Sequence, residues 1–240
     1  MPDQIFANPR LAAIYDAFDG ERDDFEAYAA MVEDFGARRV LDIGCGTGSL
    51  ACLLARRGFE LIGVEPALAS LKVARAKRFA DRVRWIHGTA DDVPDIEAHM
   101  AVMTGNVAQV FVDDSEWRGT LRAAHRALRP GGHLVFEVRD PARRAWESWT
   151  PEKTRHRKTL PGVGSVEAWT EVTEVALPLV SFRHTYVFES DGTTLTSDST
   201  LRFRERTEIE GDLGAAGFTV REVRDAPDRP GLEFVFIASR

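Results

Sequence analysis

Three glycines at alternate positions, Gly44, Gly46 and Gly48, follow the carboxylate of Asp42 in the segment VLDIGCGTGSLA, residues 40–51. Glycine lacks a Cβ, so such a loop can take positive φ and bring its backbone close to a ligand. The apolar run before it reads as a buried strand and the run after it as a helix. N–H groups at that helix start suit an anion such as a carboxylate, and Asp42 can face a ligand ammonium. Glu65 closes the next apolar run, FELIGVE, where an acid can accept hydrogen bonds from ribose hydroxyls. A bare Gly-x-Gly is no more than a tight strand–helix turn. Asp42 and Glu65 on either side of it turn the pattern toward a nucleotide-like ligand.

The elements that must position these residues follow from periodicity. Residues 9–18 and 22–37 predict two N-terminal helices, with Gly36 as a stop. Strands are expected at RRVLDIG, FELIGVE, VRWIHG, HMAVMTG and HLVFEV, alternating with helices at SLACLLARRG, ALASLKVARAKRF and SEWRGTLRAAHRAL. Short apolar strands separated by helices imply a parallel sheet covered on both faces. Residues 139–205 break the rhythm with a basic segment, Arg139 to Lys158, and three β-rich runs. Asp191-Gly192 predicts a two-residue hairpin turn between the second and third runs. That register puts Phe182, His184, Tyr186 and Phe188 opposite Leu201, Ser199, Ser197 and Leu195, an apolar face with a polar centre. The chain then returns to a helix and two last strands. The expected organisation is one domain, 1–240. It divides into a helical lid (1–36), a ligand-binding core (37–138), an antiparallel insertion (139–205) and a final helix with two strands (206–240).

Composition narrows the class. The chain has 240 residues, 31 Lys+Arg against 38 Asp+Glu, a net charge of −7 and 44% hydrophobic residues. An acidic balance argues against nucleic acid or an anionic membrane as partner. No apolar run approaches the roughly 20 residues of a membrane-spanning helix. MPDQIFANPR has no basic region leading into an apolar stretch, so a cytoplasmic location is expected. Two cysteines, Cys45 and Cys52, exclude a disulfide scaffold, and no His/Asp cluster has metal-ligand spacing. The stretch Asp16 to Asp34 carries eight acids, Glu21 and Asp23 among them, against Arg22 alone. A solvated helix face is the simpler reading of it, and a preference for a cationic acceptor the sharper one.

VLDIGCGTG, the strand end GVEPA, the acidic step HGTADD, MTGN after the fourth strand and ALRPGG before the fifth together resemble the class I S-adenosylmethionine-dependent methyltransferases. The resemblance implies a Rossmann-like α/β fold: a seven-stranded, mostly parallel sheet with an antiparallel final strand. It also implies S-adenosylmethionine as methyl donor and S-adenosylhomocysteine as product; no metal is expected, because no cluster has ligand spacing. By that resemblance Asp42, Gly44, Cys45, Gly46 and Gly48 hold the methionine part of the cofactor. Glu65 binds the ribose, with Pro66 near the adenine, and Ala90 and Asp91 meet the adenine edge. Thr104, Gly105 and Asn106 lie beside the sulfonium, and Tyr15 sits in a helix that closes over the cofactor.

The acceptor is expected to be a small molecule, methylated on nitrogen or oxygen by a monomer or homodimer. MTGNV lacks the Asn/Asp-Pro-Pro-aromatic turn that grips a flipped base, and no cysteine lies beside the fourth strand for cytosine C5 chemistry. Catalytic candidates on the added elements are His184, Tyr186 and Tyr15; the alternative for the His184 face is a packed core or subunit interface. Trp146, Trp149 and Trp169 are expected to be packing residues. Two other functions are weighed. A nicotinamide-dependent oxidoreductase needs glycine or alanine where Ser49 stands, and the chain has no Tyr-x-x-x-Lys pair. A non-catalytic S-adenosylmethionine-binding partner protein would keep the same loop.

Overall fold

The computed structural model describes every residue except Glu21 and Asp23. The N-terminal region forms α1 (Gln4–Ala7), α2 (Pro9–Ala12), α3 (Tyr15–Asp19) and α4 (Asp24–Asp34). The single helix expected over 9–18 is thus two short ones after an unforeseen α1. Asn8 caps α2 by accepting from the Arg10 and Leu11 amides, with Pro9 at its first position. Gly36, at φ +60, ends the α4 region as expected.

The core then alternates β1 (Arg39–Ile43), α5 (Ser49–Arg56), β2 (Glu60–Glu65), α6 (Leu68–Ala76), β3 (Val83–His87), β4 (Ala98–Met103), α7 (Asp114–Ala127) and β5 (Leu128–Arg139). β5 begins five residues before the expected HLVFEV, because the Pro130-Gly131-Gly132 segment is itself extended alongside β4 and the C-terminus. In the insertion, α8 (Pro151–Thr154) precedes β6 (His156–Leu160), β7 (Gly164–Ala176), β8 (Leu179–Phe188) and β9 (Thr194–Arg202). α9 (Arg206–Ala215), β10 (Thr219–Asp225) and β11 (Glu233–Ser239) close the chain.

The seven core strands run in the order β10-β11-β5-β4-β1-β2-β3, all parallel except β11, which is antiparallel to both its neighbours. Alternate residues separate two apolar layers. Val40, Leu61, Met100 and Val135 face α4 and α5. Leu41, Ile62, Ala101 and Phe136 face α7 and α9, where Trp117 is fully buried. β4 lies beside β1, so the chain reverses direction across the sheet between them. In open α/β sheets ligands bind at the carboxyl ends of the strands flanking such a reversal. No helix among the described residues is long and apolar enough to cross a membrane.

The insertion is a separate antiparallel sheet, β6-β7-β8-β9. β6 begins inside the segment read only as basic and runs two residues past its end. Its arginines are ion-paired, Arg155 to Glu167 and Arg157 to Glu189, at 3.0 and 2.9 Å. The hairpin register differs from expectation by two residues: Phe182 pairs Ser199, His184 pairs Ser197 and Tyr186 pairs Leu195. A two-residue turn needs positive φ at both central positions, and only Gly192, not Asp191, has it. The loop is instead four residues long, closed by the Phe188 amide on the Thr193 carbonyl at 2.9 Å. A shift of two keeps every side chain on its expected face. That face is covered in two halves. Ile5, Leu11 and Ile14 pack on Tyr186 and Phe188. Trp146 and Trp149 pack on Phe182 and Phe203.

Candidate functional site

The glycine loop stands at the end of β1, bonded to β2 through the Gly44 and Cys45 amides, which both donate to the Val64 carbonyl. At Gly44, φ is +71 and a Cβ would stand 2.8 Å from the Val107 methyls; at Gly48, φ is +75 and a Cβ would meet Trp85 at 2.5 Å. Neither position can hold another residue without displacing its neighbours. A Cβ at Gly46 meets nothing within 4 Å, so the middle of the loop faces open space. Cys45 lies against Gly63 as a filler, and burial pushes its thiol up.

Asp42 and Glu65 flank this opening. Asp42 is 2% exposed, and its Oδ1 has no hydrogen-bond partner among the described residues. Burial first, then the neighbouring Glu65, raises its carboxyl to about 7. Glu65 accepts the Gly46 amide at 3.0 Å on Oε2 and the Ala67 amide at 2.8 Å on Oε1. Burial also raises Glu65, against the lowering effect of those two bonds. A carboxylate oxygen has more than one lone-pair direction, so Glu65 keeps acceptor capacity. Pro66 is exposed beside His87, and Ala90 is buried in the core. Asp91 is exposed and bonded to Arg126 at 3.1 Å.

On the other side of β1, Thr104 is half-buried and Gly105 lies exposed beneath the Arg22 guanidinium, 3.6 Å from a would-be Cβ. Asn106 has φ +61, a conformation asparagine tolerates better than most residues. Its amide N–H donates to Glu137 Oε1 at 2.7 Å, and its Oδ1 is buried without a partner among the described residues.

Gly105 and Asn106 line a cavity together with Tyr15, Arg22, Tyr28, Glu137 and Glu233, among others. Sequence reasoning found Tyr15 and Asn106 but missed Tyr28, Glu137, Arg139 and Glu233. One signal was available: Glu137 interrupts the apolar run VFEV of a strand that must be buried. Its Oε2 accepts the Tyr28 hydroxyl, and burial lifts its carboxyl to about 7. Arg139, the first member of the basic segment, is half-buried and lines the cavity, 3.7 Å from Glu233.

The lid closes the other wall. Tyr15 lies over the cavity with its hydroxyl 3.4 Å from Asp19 Oδ1, and burial pushes the phenol up. The acidic stretch is largely paired rather than merely solvated. Asp19 and Asp24 bind Arg22, Glu26 and Glu33 bind Arg57, and Asp16 binds Lys77. Glu21 and Asp23 lie outside the described residues. His184 and Tyr186 do not line the cavity. Tyr186 packs edge-on against Phe18 of the lid at 5.5 Å. His184 holds Thr170 Oγ1 at 2.8 Å from its Nδ1, and burial lowers it to about 4.

Residues 40–132 match a family described as a methyltransferase domain. A ubiquinone biosynthesis O-methyltransferase of Alkalilimnicola ehrlichii is 35% identical over 104 residues, 42% of this chain and 41% of that protein. The cypemycin N-terminal methyltransferase of a Streptomyces species is 30% identical over 117 residues, 48% of each. The chain spans under half the length of these curated relatives. Solved structures align over nearly all of it. An S-adenosylmethionine-dependent methyltransferase from Clostridium acetobutylicum has a TM-score of 0.76 at 14% identity, covering 96% of this chain and 97% of that one. An amino pentose methyltransferase from Micromonospora echinaspora, solved with S-adenosylmethionine bound, has a TM-score of 0.71 at 22% identity, covering 95% and 96%.

Proposed function

We propose that this chain is a class I S-adenosylmethionine-dependent methyltransferase that transfers a methyl group to a nitrogen or oxygen of a small molecule. Its residues 40–132 match a methyltransferase domain, and its fold is that of S-adenosylmethionine-dependent methyltransferases. The observation that carries this reading is the pair of buried carboxylates on either side of an open glycine loop, at the carboxyl ends of β1 and β2. The unpartnered Oδ1 of Asp42 fits a ligand ammonium, and a buried acceptor without a donor is costly until it finds one. Glu65 fits a ribose diol, and Gly46 leaves room for the ligand between them. Pro66, Ala90 and Asp91 stand where the adenine is expected; Asp91 meets it only by leaving Arg126. Thr104, Gly105 and Asn106 lie at the methyl end. When bound, S-adenosylmethionine supplies an activated methyl on sulfur and leaves as S-adenosylhomocysteine.

The chain's own part is positioning and exclusion of water. Arg22, Tyr15 and Tyr28 cover the side where the acceptor enters, and much of the catalysis of such a transfer can come from holding the reacting atoms at ~3 to 3.5 Å. A small acceptor suits a cavity roofed by short helices, and the sugar N-methyltransferase from a Streptoalloteichus species, similar in fold, acts on such a molecule by its name. Of the three catalytic candidates, Tyr15 faces the cavity; His184 and Tyr186 act through the sheet that carries the lid. Titration calorimetry tests the reading: S-adenosylhomocysteine binds, and NAD and NADP do not. Binding of NAD with no response to either sulfur ligand overturns it.

A further inference from the structure

The cavity under the lid is lined by five carboxylates, Asp19, Asp24, Glu137, Asp228 and Glu233, against three guanidiniums, Arg22, Arg139 and Arg229. Four of the acids are matched. Arg22 holds Asp19 and Asp24 at 2.8 and 2.7 Å. Arg229 holds Glu233 at 2.7 Å and lies 3.5 Å from Asp228. Glu137 alone has no cationic partner among the described residues. It is 6% exposed and receives only neutral donors, the Tyr28 hydroxyl and the Asn106 amide N–H. Beside it, Asn106 is 4% exposed, lines the same cavity, and carries the unpartnered Oδ1. A carboxylate with no ion pair of its own, Arg139 feeling its charge from further along β5, and a carbonyl oxygen without a donor share one small space at the end of β4. Both lack the same thing, a cationic hydrogen-bond donor.

We propose that this space receives the protonated amine of the acceptor, bound by the Glu137 carboxylate and the Asn106 side-chain carbonyl, and that Glu137 then takes its proton. The assignment rests on the methyl-transfer reading above and narrows its acceptor to amines. An ammonium offers up to three N–H donors to the lone pairs that Glu137 and Asn106 Oδ1 have free. In the proton step an N–H bond breaks, an O–H bond forms on Glu137, and the electron pair stays on nitrogen as the nucleophile. The carboxyl is suited to that step because burial has brought it to about 7, closer to an amine than an ordinary acid. The groups facing it come from every neighbouring element. Tyr28 and Asp24 lie on α4, Asn106 follows β4, and Glu233 is on β11. Arg139, two residues along β5, is near enough to feel the Glu137 charge. Arg22 lines the same cavity from the lid, and Asp42 from β1 also senses Glu137.

The test compares S-adenosylhomocysteine with sinefungin, an analogue in which a carbon replaces the sulfur and bears a charged amine where the transferred methyl would be, beside the proposed space. Both ligands share the amino-acid end, so the affinity ratio cancels the contribution of Asp42. The expected ratio favours sinefungin by roughly tenfold or more at pH 8, the scale of one charge-assisted hydrogen bond. It falls toward one at pH 5.5 as Glu137 protonates. Glu137→Gln flattens both the preference and its pH dependence while leaving S-adenosylhomocysteine affinity unchanged. Tyr28→Phe keeps the carboxylate but removes a donor that favours its charged form, so the midpoint of the pH dependence moves up. If S-adenosylhomocysteine binds and sinefungin binds no better, or the preference survives Glu137→Gln, the amine assignment is overturned and the methyl-transfer reading stands. A Glu137→Gln protein that does not fold leaves the decision to Tyr28→Phe, whose unchanged midpoint overturns the assignment. If neither ligand binds, both readings fall together.

Discussion

The Lys77 ammonium lies 2.6 Å from the Asp16 carboxylate and 2.6 Å from the Ser49 hydroxyl, joining α6, the start of α5 and the lid at one point. The Thr47 hydroxyl of the glycine loop also donates to Asp16. The N-terminal helices are thus latched to the loop they cover by a small polar cluster, while their apolar side rests on the second sheet. One cluster ties the two walls of the proposed ligand site together.

The latch is weak enough to open. Its ion pair is partly exposed, and such pairs contribute about 1 kcal/mol or less. Asp16→Ala is therefore expected to speed dissociation of S-adenosylhomocysteine by up to roughly fivefold, with a nearly unchanged melting temperature. Stopped-flow displacement measures this directly. An unchanged dissociation rate would show that the apolar contacts of the lid, not Asp16, set its opening.

Glu65→Ala is expected to weaken cofactor binding by about tenfold to a hundredfold, since hydrogen bonds to a charged group are worth roughly 1.5 to 3 kcal/mol each. The structure adds a second effect. Glu65 also holds the Gly46 and Ala67 amides, so the alanine variant loses stability along with affinity. Glu65→Gln keeps an acceptor for one of those amides and should melt closer to wild type while still binding less tightly. If calorimetry finds equal affinity for all three proteins, Glu65 serves the loop alone.

The loop and its two carboxylates were legible because their signals are local. Glycine spacing, the strand before it and the acid at the next strand end all lie within a run of some thirty residues. The Glu137 cluster was not, because Tyr28, Asn106, Glu137 and Glu233 meet only through the strand order β11-β5-β4 and the packing of α4 on that sheet. The hairpin shows the same limit at short range. Asp191-Gly192 marks a turn, but the loop closes two residues earlier on its first strand than a two-residue turn requires. Asp191 is drawn there by Arg10 of the lid, 2.8 Å away, a contact no local pattern reveals.

Asp42 should make the ligand-free protein less stable as pH rises. Its folded carboxyl titrates at about 7, above the ordinary value of 3.8 that it regains on unfolding. Between those values the folded state holds a proton that the unfolded state has released, so stability falls from about pH 4 to pH 7. Asp42→Asn lacks that slope. The variant should match wild type near pH 4 and exceed it at pH 7.5, by at most roughly 4 kcal/mol at 1.36 kcal/mol per pH unit. It should also bind S-adenosylhomocysteine more weakly, because the ammonium loses its charged partner. Urea titrations at the two pH values test the first point; a variant less stable than wild type at both would assign Asp42 a purely structural role.

His184 offers a test of whether the hairpin face is packing or pocket. The ring is half-buried between the lid-covered and tryptophan-covered halves of the sheet, bonded to Thr170 and outside the cavity lining. His184→Phe leaves the Thr170 hydroxyl without its partner and adds volume, so a loss of about 1 to 3 kcal/mol is expected. The partner change Thr170→Val should cost less in the His184→Phe background than in wild type, with a coupling of about 0.5 to 1.5 kcal/mol. Acid adds a signature. The folded ring titrates at about 4 and the unfolded ring near its ordinary 6.5, so the unfolded state takes up the proton first. Wild type therefore loses stability as pH falls from 6.5 toward 4, and His184→Phe loses less over the same range. Affinity for S-adenosylhomocysteine should not change in either variant. A His184→Phe protein as stable as wild type, with no coupling to Thr170, would return this histidine to the acceptor site.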